Sequence, residues 1–190
     1  MTELSDSYTI HDMKMASYTR YFKSIFLHLL GAVIILFIMM QVVASFVKIE
    51  GSSMNPVLRD QERIVVLKMA LAKNHINRLD IIVFSSQDKN PKKRIKRIIG
   101  LPSEQIEIRA GTIYINNRIL KQTGSPASPV FKAGTISMDP VHIPPDHYFV
   151  IGENLLLSKD SRDFGLVPLD SIIGKAILRY WPFSRFGTIS

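Results

Sequence analysis

The sequence predicts a mainly β protein that carries one N-terminal transmembrane helix. Two observations predict this class: a long uncharged apolar run near the N-terminus, and short β-branched runs separated by turn residues through the remainder. The 190 residues have a positive mean hydropathy of +0.13 although 21% of them are charged, so the apolar residues are concentrated in part of the chain. One folded domain with an appended segment fits this length.

The membrane anchor is predicted at residues 25–47, which contain no Asp, Glu, Lys or Arg. At about 1.5 Å per residue, a helix of this length spans the roughly 30 Å hydrocarbon core of a bilayer. A cleavable signal peptide fits poorly, because the run begins late, is too long and precedes no small-residue cleavage site. The anchor divides the chain into an N-terminal tail, residues 1–24, and a folded domain, residues 48–190.

The charges that flank the anchor favour an N-terminus on the cytoplasmic side of the membrane. Arg20 and Lys23 lie just before the anchor and Lys48 lies just after it, and cytoplasmic flanks usually carry the excess of cations. We therefore expect a single-pass protein whose residues 48–190 form an extracytoplasmic domain.

The domain after the anchor is predicted to consist of strands. Runs of strand length that are β-branched or alternate apolar with polar residues occur at 63–69, 80–84, 105–109, 112–116, 147–151 and 172–180. Ala110-Gly111 joins two of these runs and has the length of a tight hairpin turn, in which glycine can supply a positive φ. Residues 124–134 are rich in Gly, Pro and Ser and predict a loop.

The composition limits the chemistry that this domain can perform. All of the net charge of +8 lies in residues 48–190, and residues 89–97 hold six cations without an acid among them. A nucleic-acid interface is disfavoured, because this basic run lacks interleaved aromatic residues and follows a membrane anchor. The absence of cysteine excludes thiol nucleophiles, disulfides and cysteine-ligated metal sites, so a nucleophile here would carry a hydroxyl.

The most suggestive hydroxyl-bearing segment is residues 51–58, Gly-Ser-Ser-Met-Asn-Pro-Val-Leu. A serine nucleophile needs a base, and His75, His142 and His147 occur in no recognisable triad motif. A lysine can serve if its site keeps it neutral, since its reference pKa is near 10.4. Lys96 lies among cations and alternates with isoleucines, so burial and like charges are expected to lower its pKa.

Four ordered segments follow the anchor: Ser-Met-Asn-Pro at 53–56, DIIVF at 80–84, RIKRIIGLP at 94–102 and GENLLLSKDSR at 152–162. In this order they resemble the sequence boxes of type I signal peptidases, in the short bacterial form with one N-terminal anchor. The resemblance covers almost the whole chain after the tail. It implies a β-rich, signal-peptidase-like catalytic domain behind the transmembrane helix.

The resemblance implies a serine protease with a Ser/Lys dyad. Ser53 would be the nucleophile and Lys96 the general base. Ser158 would hydrogen-bond the Lys96 amine and orient it. Asp160 and Arg162 would form a supporting ion pair.

The oxyanion of the reaction would be held by the backbone N–H of Ser53. Some family members add a side-chain donor from a small hydroxyl residue two positions earlier. Gly51 stands at that position here, so only backbone or water can replace the missing donor, and the Gly51 backbone is the expected candidate.

The same resemblance implies that the substrates are secreted preproteins, cut after small residues at Ala-x-Ala-like sites. The cleavage region would pair as an extended strand with residues 49–53 and 93–95. Shallow pockets for its side chains would be shaped by Ile49, Gly51, Met54, Leu58 and Ile95. The lipid bilayer would be a second partner, and the reaction would need no metal and no cofactor.

The sequence departs from the family's pattern at Val57, Ser103-Glu104, Glu153 and Leu155, none of which is a proposed catalytic group. Glu153 and Leu155 keep open a second interpretation, a catalytically weak or inactive relative that acts as a membrane-held assembly factor for surface structures. A self-cleaving repressor with the same dyad is disfavoured by the anchor and by the lack of a helix-turn-helix pattern. The aromatic residues within 181–186 fit either a membrane interface or a closing strand of the core.

Overall fold

A computed structural model describes residues 3–68, 76–120 and 136–189, with side chains described from residue 21 onward. The loop predicted at 124–134 and the candidate base His75 lie outside the described residues. The chain divides into two compact units, Met1–Val42 and Val43–Ser190.

The first unit is the helix α1, Glu3–Val43. Its residues Tyr21–Val43 have a mean hydropathy of 2.5 and leave none of their apolar window buried, which fits a single-pass membrane anchor. The helix begins within the predicted tail, so the tail and the anchor belong to one helix. It also ends four residues before the predicted end of the anchor.

Residues 44–47 were expected to continue the anchor, but they belong to strand β1, Ala44–Lys48. This strand pairs antiparallel with β2, Arg63–Lys68, from Ala44 opposite Leu67 to Lys48 opposite Arg63. An apolar run has no feature that separates the last turn of a helix from the first residues of a buried strand. The partner strand, which lies about twenty residues later, decides the boundary.

The larger sheet of the second unit contains eight strands in the order β1-β2-β11-β3-β4-β9-β10, with β12 paired to β11. Every pairing in it is antiparallel. Besides β1 and β2, its strands are β3 Ile81–Ser85, β4 Lys93–Gly100, β9 His147–Ile151, β10 Val167–Pro168, β11 Ile172–Trp181 and β12 Gly187–Thr188. The mainly β class predicted from the sequence is confirmed.

The smaller sheet has the order β7-β6-β5-β8. Its strands are β5 Gln105–Arg109, β6 Thr112–Ile115, β7 Arg118–Ile119 and β8 Met138–His142. Ala110 and Gly111 join β5 to β6 with φ values of 44° and 79°, so the predicted hairpin is confirmed. A one-turn helix α2, Ser161–Phe164, and short 3₁₀ helices at Leu169–Ser171 and Phe183–Arg185 complete the described elements.

The core beneath β1, β2, β3 and β11 fixes the segment that follows β1. Met54, Val57 and Leu58 are buried in one cluster with Ile64 and Val66 of β2. Burial of such side chains contributes about 1.5–3 kcal/mol each, so residues 51–58 are held against the sheet although they form no strand.

Two strand edges near this segment have no neighbouring strand among the described residues. Strand β1 pairs with β2 on one side and forms the end of the sheet. Strand β4 pairs with β3 along residues 93–97, whereas β9 covers its other side only from Arg97 onward. Residues 93–96 therefore have backbone groups directed away from β3 that no strand occupies.

Candidate active site

Ser53 and Lys96 lie in direct contact, with the Lys96 Nζ atom 2.7 Å from the Ser53 Oγ atom. Ser53 is partly exposed in the turn after β1, and Lys96 lies on β4, where it faces Ile82 of β3. The lysine is only 4% exposed, because its stem packs inside the sheet while its amine reaches the serine. The fold thus brings together two residues that are 43 positions apart.

Burial lowers the pKa of the Lys96 amine from 10.5 to about 8. Asp160 opposes this shift, because a nearby carboxylate favours the ammonium form. The cations Arg94 and Arg162 lower the pKa further. The result agrees with the expectation that burial and like charges act on this lysine, and it leaves a substantial neutral fraction near pH 8.

The turn that carries Ser53 is held by backbone hydrogen bonds as well as by its buried side chains. The Leu58 N–H donates to the Met54 carbonyl at 2.8 Å, and the Asn55 N–H donates to the Ser52 carbonyl at 3.1 Å. The Ser53 carbonyl accepts from the Asn154 N–H at 3.0 Å, which ties the turn to the loop after β9. The Ser53 N–H has no acceptor among the described residues and remains available to a substrate oxyanion.

The expected backbone donor at Gly51 is already engaged. Its N–H donates to the Asp60 Oδ1 atom at 2.8 Å, and its φ of +88° is one that glycine adopts without strain. The prediction that the Gly51 backbone compensates for the missing oxyanion donor is therefore wrong for the described geometry, because this N–H has a carboxylate partner.

The hydrogen bond predicted between Ser158 and the Lys96 amine is absent. Ser158 is buried, and its Oγ atom has no hydrogen-bond partner among the described residues. It packs against Gly152. If residue 152 carried a Cβ atom, that atom would collide with Ser158 Oγ and would lie 2.7 Å from the Ser53 carbonyl oxygen. Ser158 therefore lies against Gly152, close to which the Ser53 carbonyl oxygen also lies, and it makes no hydrogen bond with the proposed base.

Asp160 and Arg162 form the predicted ion pair. The Arg162 Nε and Nη2 atoms donate to the two Asp160 carboxylate oxygens at 2.7 and 2.8 Å, and Asp160 is fully buried. Asp160 also caps α2 and accepts from the Gly152 N–H at 3.1 Å. Arg162 also donates to the Leu155 carbonyl at 3.1 Å. This contact uses the backbone of residue 155, so it does not depend on the leucine that departs from the family's pattern there.

A second buried ion pair was not found from the sequence. The Arg97 Nε atom donates to the Glu153 Oε1 atom at 2.6 Å, and both side chains are buried. Burial raises the pKa of Glu153, which Arg97 opposes. The sequence singled out Glu153 as a departure, but its partner is 56 residues away on β4, so no local spacing could indicate the pair.

A groove of about 670 Å³ leads to the Ser53–Lys96 contact. It is lined by Phe46, Val47, Lys48, Ile49, Glu50, Gly51, Ser53, Met54, Lys92, Lys93, Arg94, Ile95 and Lys96. Four of the predicted substrate-contacting residues are in this lining. Leu58 is not, because it is completely buried in the core, and the prediction for it is wrong.

Neither of the histidines that the structure describes after the anchor lines this groove. His142 lies at the end of β8 and His147 at the start of β9, where its Nδ1 atom is 2.9 Å from the Pro145 carbonyl oxygen. Of the candidate bases that the structure describes, Lys96 is the one in contact with Ser53.

Comparison with known proteins assigns the chain to a family. Residues 20–181 match the family described as "Signal peptidase, peptidase S26". Signal peptidase I of Bacillus caldolyticus is 35% identical over 150 residues, which are 73% of this chain and 80% of that protein. Signal peptidase IB of Staphylococcus aureus is 33% identical over 168 residues, which are 82% of this chain and 87% of that protein.

Two further relatives are matched over unequal shares of the two chains. A probable signal peptidase I-2 of Synechocystis is 34% identical, and the match spans 75% of this chain and 65% of that protein. The crystal structure of a signal peptidase I from Enterococcus faecalis is 32% identical and covers 53% of this chain and 95% of that one, with a TM-score of 0.43. The family match and the curated relatives show that this chain belongs to the signal peptidase family, peptidase S26, a family of serine endopeptidases.

Proposed function

We propose that this chain is a membrane-anchored serine endopeptidase that removes N-terminal signal peptides from secreted preproteins through a Ser53–Lys96 dyad. The 2.7 Å contact between a partly exposed serine hydroxyl and a buried lysine amine is the observation that carries the proposal. A pKa of about 8 gives this lysine the neutral form that a general base requires.

In the proposed reaction, Ser53 Oγ attacks the scissile carbonyl carbon while Lys96 Nζ takes the hydroxyl proton. The tetrahedral oxyanion accepts a hydrogen bond from the Ser53 N–H. The Lys96 ammonium then gives its proton to the leaving amine, and an acyl-enzyme remains. Water attacks this ester with Lys96 again accepting a proton, and Lys96 then returns that proton to the departing Ser53 Oγ, which releases the signal peptide and restores the free serine.

The two unpaired strand edges support an extended mode of substrate binding. A preprotein segment that enters the groove can pair with β4 at residues 93–96 on one side and with the chain after β1 on the other. Ile49, Met54 and Ile95 line the groove, so the pockets beside the scissile bond are apolar. This arrangement supports small apolar residues, alanine above all, one and three positions before the cut.

The helix α1 supports the proposed location. Its apolar part is long enough to anchor the chain, and the cations at its N-terminal flank favour a cytoplasmic N-terminus. The domain of residues 43–190 would then act outside the cytoplasm, where a translocated signal peptide leaves the bilayer.

The test is cleavage of a preprotein with an Ala-x-Ala site by the full-length chain in detergent micelles. Ser53→Ala and Lys96→Met are each expected to abolish product formation, whereas Lys89→Met, which changes an exposed lysine outside the groove, should retain it. Retained cleavage in either of the first two variants would contradict the dyad.

Lys96→Met also separates loss of chemistry from loss of folding. The folded-state pKa of Lys96 lies below 10.5, so protonation of this buried amine opposes folding below about pH 8, and the penalty fades between pH 8 and 10.5. Methionine removes the penalty and loses one hydrogen bond. We expect the variant to gain on the order of 1–2 kcal/mol of unfolding free energy at pH 7.

A folded wild-type protein that cleaves no preprotein would favour the assembly-factor interpretation.

A further inference from the structure

The groove has a basic end that the proposed chemistry does not use. Lys48 lies on one wall and Lys92 and Lys93 lie on the other, and all three are exposed. Lys92 and Lys93 form no ion pair among the described residues, and Glu50 is the one carboxylate in the groove lining. Arg94 lines the groove as well but is paired with Asp88 at 2.7 Å.

The sheet topology places these lysines at a defined distance from the Ser53–Lys96 contact. Four successive antiparallel pairings connect β1 to β4, so the two strands run in the same direction. On β4, Lys96 reaches Ser53, and Lys93 and Lys92 precede it along the chain, whereas on the facing wall Lys48 is the last residue of β1 and lies five positions before Ser53. At about 3.3 Å per residue, Lys93 and Lys92 lie roughly 10 and 13 Å along β4 from Lys96.

We propose that the groove favours preproteins that carry a carboxylate three or four residues from the scissile bond, beside Lys93 or Lys92 respectively, with Lys48 on the opposite wall. The inference rests on the proposed function, since it names the substrates that this site prefers. An extended peptide whose scissile carbonyl lies at Ser53 places a side chain three or four positions away beside these ammonium groups.

A peptide fits this end of the groove better than a flat anionic surface does. The lysines lie on the same walls as the apolar residues Ile49 and Ile95 and beside strand edges that lack partners. A bound strand would satisfy those backbone groups while its acidic side chain meets the lysines. An ion pair at an exposed site contributes little, so we expect an effect of about three- to fivefold on kcat/KM that weakens as salt is raised.

The experiment uses the full-length enzyme in zwitterionic detergent with peptides that span an Ala-x-Ala site. Single Asp, Asn or Lys residues are placed three or four positions from the scissile bond, on either side of it. For wild type, the ratio of kcat/KM between the Asp and Asn peptides should reach about three to five on one side of the bond, and the Lys peptide should be the poorest. In Lys92→Glu/Lys93→Glu this order should reverse, so that the Lys peptide is preferred.

Arg118→Glu is the matched control, because it reverses an exposed cation on β7 of the smaller sheet and should keep the wild-type ratio. Normal cleavage of the Asn peptide with no dependence of the ratio on Lys92 and Lys93 would overturn this inference and leave the proposed function standing. Failure to cleave any peptide would instead contradict the proposed function. An effect of the double variant that is equal for all peptides and appears only with anionic vesicles would assign the lysines to lipid headgroups and would also overturn the inference.

Discussion

At the scale of single residues, the protonation state of Lys96 depends on opposing effects of burial and neighbouring charges on its pKa. Burial and two cations lower the pKa of its amine, while the buried carboxylate of Asp160 raises it. Arg162 neutralises that carboxylate through two hydrogen bonds at 2.7 and 2.8 Å. The ion pair therefore limits how strongly Asp160 can hold the lysine in its charged form.

Removal of one of these cations should move the pH profile of the enzyme. Arg94 lowers the pKa of Lys96, so Arg94→Gln is expected to raise that pKa. Because the neutral amine is the proposed base, the acidic limb of kcat/KM, whose midpoint is expected near pH 8 in wild type, should shift upward by a few tenths of a pH unit. Lys93→Gln removes a neighbouring cation that does not act on this pKa and should keep the midpoint. A downward shift in Arg94→Gln would contradict this account of the base.

The resemblance to a family predicted which residues meet at the site, but it did not predict all of their bonds. Ser53 contacts Lys96 and Asp160 pairs with Arg162, because sequence boxes identify residues that share a place in a fold. The partners of Gly51 and Ser158 were not predicted correctly. A hydrogen bond depends on backbone direction and rotamer to within a few tenths of an ångström, which residue identity does not specify.

At the scale of elements, Arg179 and Arg185 hold the turn that carries Ser53 through hydrogen bonds to its backbone. Arg179 of β11 donates to the Val57 carbonyl at 2.9 Å, and Arg185 donates to the Pro56 carbonyl at 3.1 Å. Both guanidinium groups lie beside the buried Glu62 carboxylate, with Arg185 at 2.5 Å and Arg179 at 3.6 Å. One charge cluster therefore joins the C-terminal segment to the turn of the proposed nucleophile.

Loss of one arginine from this cluster should affect both stability and activity. Arg185→Met leaves the buried Glu62 with Arg179, at 3.6 Å, as its remaining ion-pair partner and frees the Pro56 carbonyl, so we expect the unfolding free energy to fall by about 2–3 kcal/mol. We also expect kcat to fall about tenfold, because Ser53 is positioned less firmly. Denaturant unfolding and kcat at a temperature where the variant is folded measure the two effects.

Two further variants serve as controls for Arg185→Met. Arg185→Lys keeps the charge near Glu62 and should recover most of the stability and less of the kcat, since lysine cannot contact both carbonyls in the same geometry. Arg118→Met, on the edge strand β7, should leave both quantities unchanged. A destabilised Arg185→Met with wild-type kcat in its folded fraction would show that the cluster supports the fold and does not position Ser53.

The elements that the sequence predicted are those with a strong local pattern. The six predicted strand runs all overlap observed strands, because β-branched and alternating residues favour a pleated, half-buried surface. Strand β8 was missed because Pro140 interrupts it, and the one-turn helix α2 was missed because it is too short for a helical period. The start of β1 was missed because its pairing with β2 is not local.

At the scale of the whole molecule, the second unit exposes aromatic side chains around the end of β11. Trp181, Phe183 and Phe186 are 46%, 75% and 62% exposed, and Trp181 and Phe183 contact each other edge to face. The sequence left open whether this segment closes the core or lies at a membrane interface. The exposure of these three side chains shows that they do not fill the core, although Trp181 itself lies in β11 opposite Arg63.

These aromatic residues are expected to bind the surface of a bilayer independently of the helix α1, because Trp and Phe are favoured at the interface between headgroups and acyl chains. A chain of residues 43–190 retains the buried clusters of the second unit and should cosediment with phospholipid vesicles. In the same chain, Trp181→Ser/Phe183→Ser/Phe186→Ser should weaken that binding by about tenfold, since binding scales with the apolar area that enters the interface. Ile119→Ser changes an exposed apolar side chain on β7 and should bind as the unmodified domain does. Equal, retained binding by the triple variant and the unmodified domain would assign the membrane contact to other residues of the domain, and no binding by either would show that the domain needs α1 to reach the membrane.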